Sequence, residues 1–185
     1  MDYHKKALSI QKSKSQHSEA MTAETCVLMG MVKAKTGEYK NALNLFDDAV
    51  DTLRNALGEN HLSVTKTLAQ IGALYFELSR YDEAFEKLQE AERIQLETVG
   101  EMNRDTLETQ ALIGRVLSAT GEYESASIKL KSVVEKQHSL FGSSHPSIAE
   151  TKQFIAGNFL QQGMSAEARA VYVEVYNMRK GFFTM

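Results

Sequence analysis

The sequence predicts an all-α protein built as a solenoid of antiparallel helix pairs. Three observations lead to this prediction. Apolar residues recur at helical spacing, only one of the 185 residues is a proline, and several columns of residues repeat at one constant step. Strand-rich folds need many tight turns, and tight turns use proline and glycine, so this composition is typical of a helical protein.

The repeat is visible in five columns of residues that share one register. Its step is 42 residues, as in Tyr39, Tyr81 and Tyr123. The other columns are Gly58, Gly100 and Gly142; Ala42, Ala84, Ala126 and Ala168; Gly30, Gly72, Gly114 and Ala156; and Met29, Ile71, Ile113 and Ile155. Five independent columns in one register indicate a chain of repeated structural units.

Each unit has the pattern of two helices separated by a short break. In the second complete unit, the first apolar stripe is Leu68, Ile71, Leu74, Tyr75 and Leu78, and the second is Ala84, Phe85, Leu88, Ala91 and Ile94. We expect Gly100 to end the second helix, since glycine adopts the left-handed conformation at little cost. We also expect Gly72 to face Ala84, because small residues let two helices approach closely.

The order Gly, Tyr, Ala, large apolar residue, Ala in each unit resembles a tetratricopeptide repeat. The linkers at residues 142–151 (GSSHPSIAET) and 58–65 (GENHLSVT) resemble those of the 42-residue variant of kinesin light chains. The resemblance covers essentially the whole chain and implies a right-handed superhelical solenoid. Kinesin light chains typically carry paired asparagines on their first helices, but the matching places here hold Val27-Leu28, Ala69-Gln70, Ala111-Leu112 and Gln153-Phe154.

The register assigns residues 1–185 to a single array. Counting back one period from Ala49 gives Ala7, so we expect residues 1–16 to be the second helix of an incomplete repeat. Four helix-pair repeats are then expected at 18–58, 61–100, 103–142 and 145–183. The last helix is apolar where a capping helix would be polar. We therefore expect an excerpt of a longer array, or end-to-end contacts with further repeats or another chain.

Composition argues against several classes of partner and location. The 21 basic and 24 acidic residues give a net charge of −3, so we expect no nucleic-acid partner. No apolar run approaches the ~20 residues of a membrane span. The first residues lack the apolar stretch of a secretion signal, and one cysteine permits no internal disulfide. The predicted location is cytoplasmic, with association with the cytoskeleton as an option.

No group of residues has the spacing of a catalytic or metal site. The histidines and Cys26 lack the ligand spacing of zinc sites. His61 and His145 share one column of the repeat, which favours a structural role in the linkers. The acidic residues at 47, 48 and 51 lack the spacing and the glycine turn of a calcium loop. We therefore expect no enzymatic activity, no cofactor and no metal.

The resemblance implies a binding groove on the concave side, which the first helices line in arrays of this type. The groove residues it implies are Met31, Lys35, Lys66, Ala73, Phe76, Glu77, Glu108, Arg115, Gln153 and Gln161. Lys35, Lys66 and Arg115 could hold the carboxylates of an extended or helical peptide. The expected function is a non-catalytic scaffold or adaptor that binds a peptide or protein segment. The alternative is a structural subunit locked into a larger assembly through its ends and convex face.

Overall fold

The computed structural model describes the backbone of residues 2–182 and the side chains of residues 14–180. Its helices are α1 (Asp2–Lys35), α2 (Tyr39–Leu57), α3 (Leu62–Glu77), α4 (Tyr81–Thr98), α5 (Arg104–Ala119), α6 (Tyr123–Phe141), α7 (Pro146–Gln161) and α8 (Ser165–Phe182). Residues 2–182 contain eight helices and no strand. The predicted all-α fold class is confirmed.

The helices pack in sequence order, so that each unit touches only its neighbours. Within the units α1 packs on α2, α3 on α4, α5 on α6 and α7 on α8, and each even helix also packs on the odd helix that follows it. The apolar core continues across unit boundaries: one cluster joins Phe46 and Leu53 of α2 to Ile71 and Leu74 of α3. Contacts limited to adjacent units define a solenoid.

The array curves toward its odd-numbered helices. Among residues 2–182, α1 approaches α3, α3 approaches α5, and α5 approaches α7, whereas no two even helices come as close. A row of helices whose members are nearer together on one side is concave on that side. The first helices of the units therefore line the concave surface, and the second helices lie on the convex one.

The alanine column forms the buried seam of every helix pair. Ala42, Ala84, Ala126 and Ala168 are each at most 1% exposed. Gly72 lies close to Ala84 as expected, and it lies closer still to a side chain that was not expected, that of Leu88. A Cβ on Gly72 would lie 2.6 Å from Leu88 Cγ, and only 3.2 Å from the backbone oxygen of Ala84. Gly30 and Gly114 likewise make room for Phe46 and Leu130, because the large apolar side chain four residues after each alanine reaches across the pair.

Two glycine columns supply the left-handed backbone that the turns require. Gly58 and Gly142 follow α2 and α6 with φ values of 95° and 79°. Gly37, Gly121 and Gly163 occupy the turn inside a unit, also with positive φ. Ser79 occupies the same column in the second unit and adopts φ 58° without being a glycine. The repeat imposes this conformation on Ser79 at a cost in backbone energy.

The linker histidines cap the first helices. His61 Nδ1 accepts a hydrogen bond of 3.2 Å from the backbone N–H of Ser63, at the start of α3. His145 Nδ1 accepts the equivalent bond of 3.3 Å from Ser147 at the start of α7. Asn103 does the same for α5. These side chains satisfy backbone donors that a helix leaves without partners, which is the structural role expected for the two histidines.

The expected break between residues 16 and 18 does not occur. α1 runs without interruption for 34 residues, from Asp2 to Lys35. The sequence explains the difference: Gln16 replaces the glycine found at the other unit boundaries, and Glu19 replaces the capping histidine or asparagine. Because neither a left-handed residue nor a new N-cap is present there, the helix continues.

Candidate functional site

All ten predicted groove residues lie on α1, α3, α5 and α7. They line depressions on the concave surface, which we call the groove face. The structure thus brings these residues onto one surface, as the resemblance implied.

The first depression lies between α1 and α3 and has a volume of about 280 Å³. Met31, Lys35, Ala73 and Glu77 line it, together with Tyr39 at the start of α2. Lys35 is exposed and forms no ion pair within residues 14–180. This depression therefore offers an unneutralised ammonium group beside an apolar wall.

The middle depression spans α1, α3 and α5 and has a volume of about 600 Å³. Its charged residues are paired: Lys66 Nζ lies 3.2 Å from Asp105 Oδ2, and Arg104 Nε lies 2.8 Å from Glu108 Oε1. The hydrogen bond to Glu108 raises the pKa of the Arg104 guanidinium above its usual value. Leu112 provides apolar surface between these pairs.

The third depression spans α3, α5 and α7, with a volume of about 330 Å³ and Gln153 and Gln161 in its lining. Arg115 lies over two aromatic rings: its Cζ is 4.1 Å from the ring centroid of Phe76 and 5.3 Å from that of Phe154. Its Nη2 also lies 3.1 Å from Glu77 Oε1. Contacts with two rings and a carboxylate restrict the orientation of this guanidinium.

Lys66 and Arg115 were expected to be available for the carboxylates of a ligand, but both side chains already form ion pairs. Each already has an acidic partner, Asp105 and Glu77 respectively. An incoming carboxylate would have to compete with these groups. The charges of Lys66 and Arg115 are therefore locally neutralised, which leaves Lys35 as the lysine of the groove face without an ion-pair partner among residues 14–180.

Comparison with known proteins decides the family. The family model described as Tetratricopeptide repeat matches residues 18–97 and 67–135, which together cover more than half of the chain. The chain belongs to the tetratricopeptide repeat (TPR) family. The prediction from the repeat columns is confirmed. A comparison with curated proteins found no match.

Solved structures with the same fold include kinesin-light-chain-like TPR arrays. BtubC (BKLC) from P. vanneervenii has a TM-score of 0.74 at 13% identity, over 88% of this chain and 65% of BtubC. Nearly identical TPR-like repeats from a Podosopora anserina protein provisionally named a kinesin light chain have a TM-score of 0.65 at 18% identity, over 95% and 96% of the two chains. A Rap protein complexed with competence and sporulation factor has a TM-score of 0.75 at 15% identity, over 84% of this chain and 42% of that protein.

Three members of one further column of the TPR array line the groove face and were not among the predicted groove residues. Leu112 and Phe154 line two depressions each, and Gln70 of the same column also lines two. Three of the four members of this column, Leu28, Leu112 and Phe154, are apolar although their helices already have a core stripe. That surplus of apolar residues was the available signal.

The described part of this TPR protein offers no metal site and no membrane span. Among residues 14–180, no three His, Cys, Asp or Glu side chains are grouped so that they could hold a metal ion. Within residues 2–182, no helix combines the length and the apolar character needed to cross a membrane.

Proposed function

We propose that this TPR protein is a non-catalytic scaffold that binds a peptide or protein segment along its groove face. TPR arrays serve in general as surfaces for protein interaction. The observation that carries the proposal is the third depression, where side chains from three odd helices, Phe76, Arg115 and Phe154, contact one another. The structurally similar Rap protein, complexed with competence and sporulation factor, supports the capacity of this fold to hold a ligand.

In this proposal the ligand is held by a few anchors. Its apolar side chains enter the depressions beside Met31, Phe76 and Phe154, where burial of apolar surface supplies most of the binding free energy. Gln153 and Gln161 offer amide groups to polar atoms of the ligand backbone. A carboxylate of the ligand binds at Lys35, the lysine of the groove face without an ion-pair partner in residues 14–180.

Reversing two charges of the groove face tests this proposal. In Lys66→Glu plus Arg115→Glu, both ion pairs become like-charge contacts, and the cation–ring contacts of Arg115 with Phe76 and Phe154 are lost. A peptide selected on the unmodified chain from a displayed random library should bind the variant at least ~10-fold more weakly, a loss of about 1.4 kcal/mol. Fluorescence polarisation with the labelled peptide measures this loss.

The matched control is Arg93→Glu plus Lys131→Glu. These residues are exposed on α4 and α6, so the same two charge reversals are made on the convex surface. The control should bind the selected peptide as well as the unmodified chain does, and both variants should keep the helical circular dichroism spectrum. A peptide that binds the groove variant undiminished, or loses affinity equally with both variants, would rule the groove out as its site.

The second candidate function is a structural subunit held through its ends and convex face. Two observations favour it. A depression of about 500 Å³ lies between α5 and α6 and is lined by Ile128, which is 65% exposed. At the last helix, Tyr176 is also 65% exposed. Loss of binding in the convex control alone would support this function. The cytoplasmic location and the absence of a nucleic-acid partner stay predictions.

A further inference from the structure

One side of α1 carries the residues by which every other first helix packs onto the unit before it. These α1 residues are Thr22, Thr25, Met29 and Val32, which we call the N-terminal face. Their counterparts are Val64, Thr67, Ile71 and Leu74 in α3; Thr106, Thr109, Ile113 and Val116 in α5; and Ile148, Thr151, Ile155 and Asn158 in α7. All twelve counterparts are at most 7% exposed, whereas Met29 is 52% and Val32 61% exposed.

Thr25 of this face forms the same intrahelical hydrogen bond as its buried counterparts. The Thr25 hydroxyl donates to the backbone oxygen of Met21 at 2.9 Å. Thr67, Thr109 and Thr151 make the same bond to their own helices, at 2.9 to 3.0 Å. Because the hydroxyl is satisfied within the helix, burial of Thr25 would leave no polar group without a partner. The N-terminal face can therefore be buried by a helix equivalent to the second helix of a unit.

Residues 1–16 have the sequence of such a covering helix. Ala7 occupies the column of Ala49, Ala91 and Val133, and Gln11 that of Leu53, Gln95 and Gln137. All six of these counterparts are at most 1% exposed, at the packing surface of the even helices. His4 occupies the column of Phe46, Leu88 and Leu130, which fill the space opposite the glycine of their own first helix. Among these four members of the column, His4 is the polar one.

The segment does not reach the N-terminal face of its own chain. α1 is continuous from Asp2 to Lys35, because the boundary glycine and the capping residue are replaced by Gln16 and Glu19. With a rise of 1.5 Å per residue, Ala7 lies roughly 33 Å from Met29 along the helix axis. A second copy of α1 running in the opposite direction would bring its Ala7 to that place.

We propose that two copies of the chain pair through α1, antiparallel about a two-fold axis near residue 17. Residues 2–16 of each copy then cover the N-terminal face of the other. The contact is equivalent to the one between α2 and α3 inside the array. It differs in two ways: the boundary at residues 16–18 is helical instead of a turn, and the covering helix belongs to the second chain. Such an exchange gives a closed, isologous dimer. Lys12 and Lys14 lie in the half of α1 that meets Glu19 and Glu24 of the second copy. This proposal does not depend on the groove.

The test is the mass of the 1–185 chain in solution and its response to a restored turn. Sedimentation velocity should give about 41 kDa, twice the 20.7 kDa of one chain. Gln16→Gly plus Glu19→His supplies both features found at the other boundaries, so residues 1–16 fold back and the mass falls by half. Gln16→Ala plus Glu19→Ala removes the same side chains but keeps the helix, and it should stay dimeric. A monomeric unmodified chain would overturn the proposal.

A cross-link separates this dimer from any other. Ala7→Cys plus Met29→Cys, in a Cys26→Ser background, places the only two thiols on the proposed contact. A short bis-maleimide should join two chains and produce a covalent dimer on a denaturing gel. Cross-linking confined to single chains, or a dimer that survives removal of residues 1–16, would show that the exchange does not occur.

Discussion

Replacing Leu88 with alanine is expected to lower the free energy of unfolding by about 2–5 kcal/mol. Leu88 is fully buried and shares a cluster with Ala84, Ile113 and Val116, so it joins two units of the array. It also fills the space opposite Gly72, so its truncation leaves a cavity between the two helices. Urea unfolding followed by circular dichroism at the helical band measures the loss.

Leu96→Ala is the matched control for this substitution. Leu96 lies on the same helix, α4, but is 42% exposed. The same truncation there should change the free energy of unfolding by no more than about 0.5 kcal/mol. Equal effects at the two positions would mean that Leu88 does not lie in a packed seam.

The second large effect is expected from overfilling the alanine column. In Ala84→Leu, three further carbon atoms must fit where Ala84 is fully buried and its backbone oxygen lies 3.2 Å from the Cβ position of Gly72. The helices of the pair would have to separate, at a cost of about 1–3 kcal/mol. The thermal unfolding midpoint, measured by circular dichroism, should fall accordingly.

The control for overfilling is Ala170→Leu, the same substitution at an exposed position of a second helix. Its effect should stay within about 0.5 kcal/mol, since the added side chain extends into solvent. If Ala84→Leu were as well tolerated as Ala170→Leu, the alanine column would not set the spacing of the helices.

The repeat could be predicted from the sequence because the residues that cause it recur at the same positions of every unit. Small residues every 42 positions, and glycines with positive φ at the turns, are visible as columns. The contact between Gly72 and Leu88 could not be predicted in this way, because the residue opposite a glycine depends on the angle at which the two helices cross. That angle depends on the side chains of both helices at once.

The unbroken α1 and the ion pairs of the groove face could not be predicted from the repeat either. Gln16 occupies the position that holds the boundary glycine in other units. The expected break nevertheless assumed that every 42-residue period contains a turn at this position. The groove positions followed from the family register, whereas the pairing of Lys66 with Asp105 joins residues 39 apart on different helices. Such contacts depend on the curvature of the array, which no single repeat unit determines.

In this account the two helices of each unit pack at a close, constant distance, so the glycine column is the most direct point at which to test it. The measurement is the free energy of unfolding of Gly72→Ala beside Gly157→Ala. A Cβ on Gly72 would lie 2.6 Å from Leu88 Cγ, whereas one on Gly157 would meet no atom within 4 Å. Both changes improve helix propensity, by up to about 1 kcal/mol. We predict that Gly157→Ala stabilises the protein and that Gly72→Ala destabilises it by about 1–2 kcal/mol. Stabilisation by both substitutions would contradict the close approach of the helices.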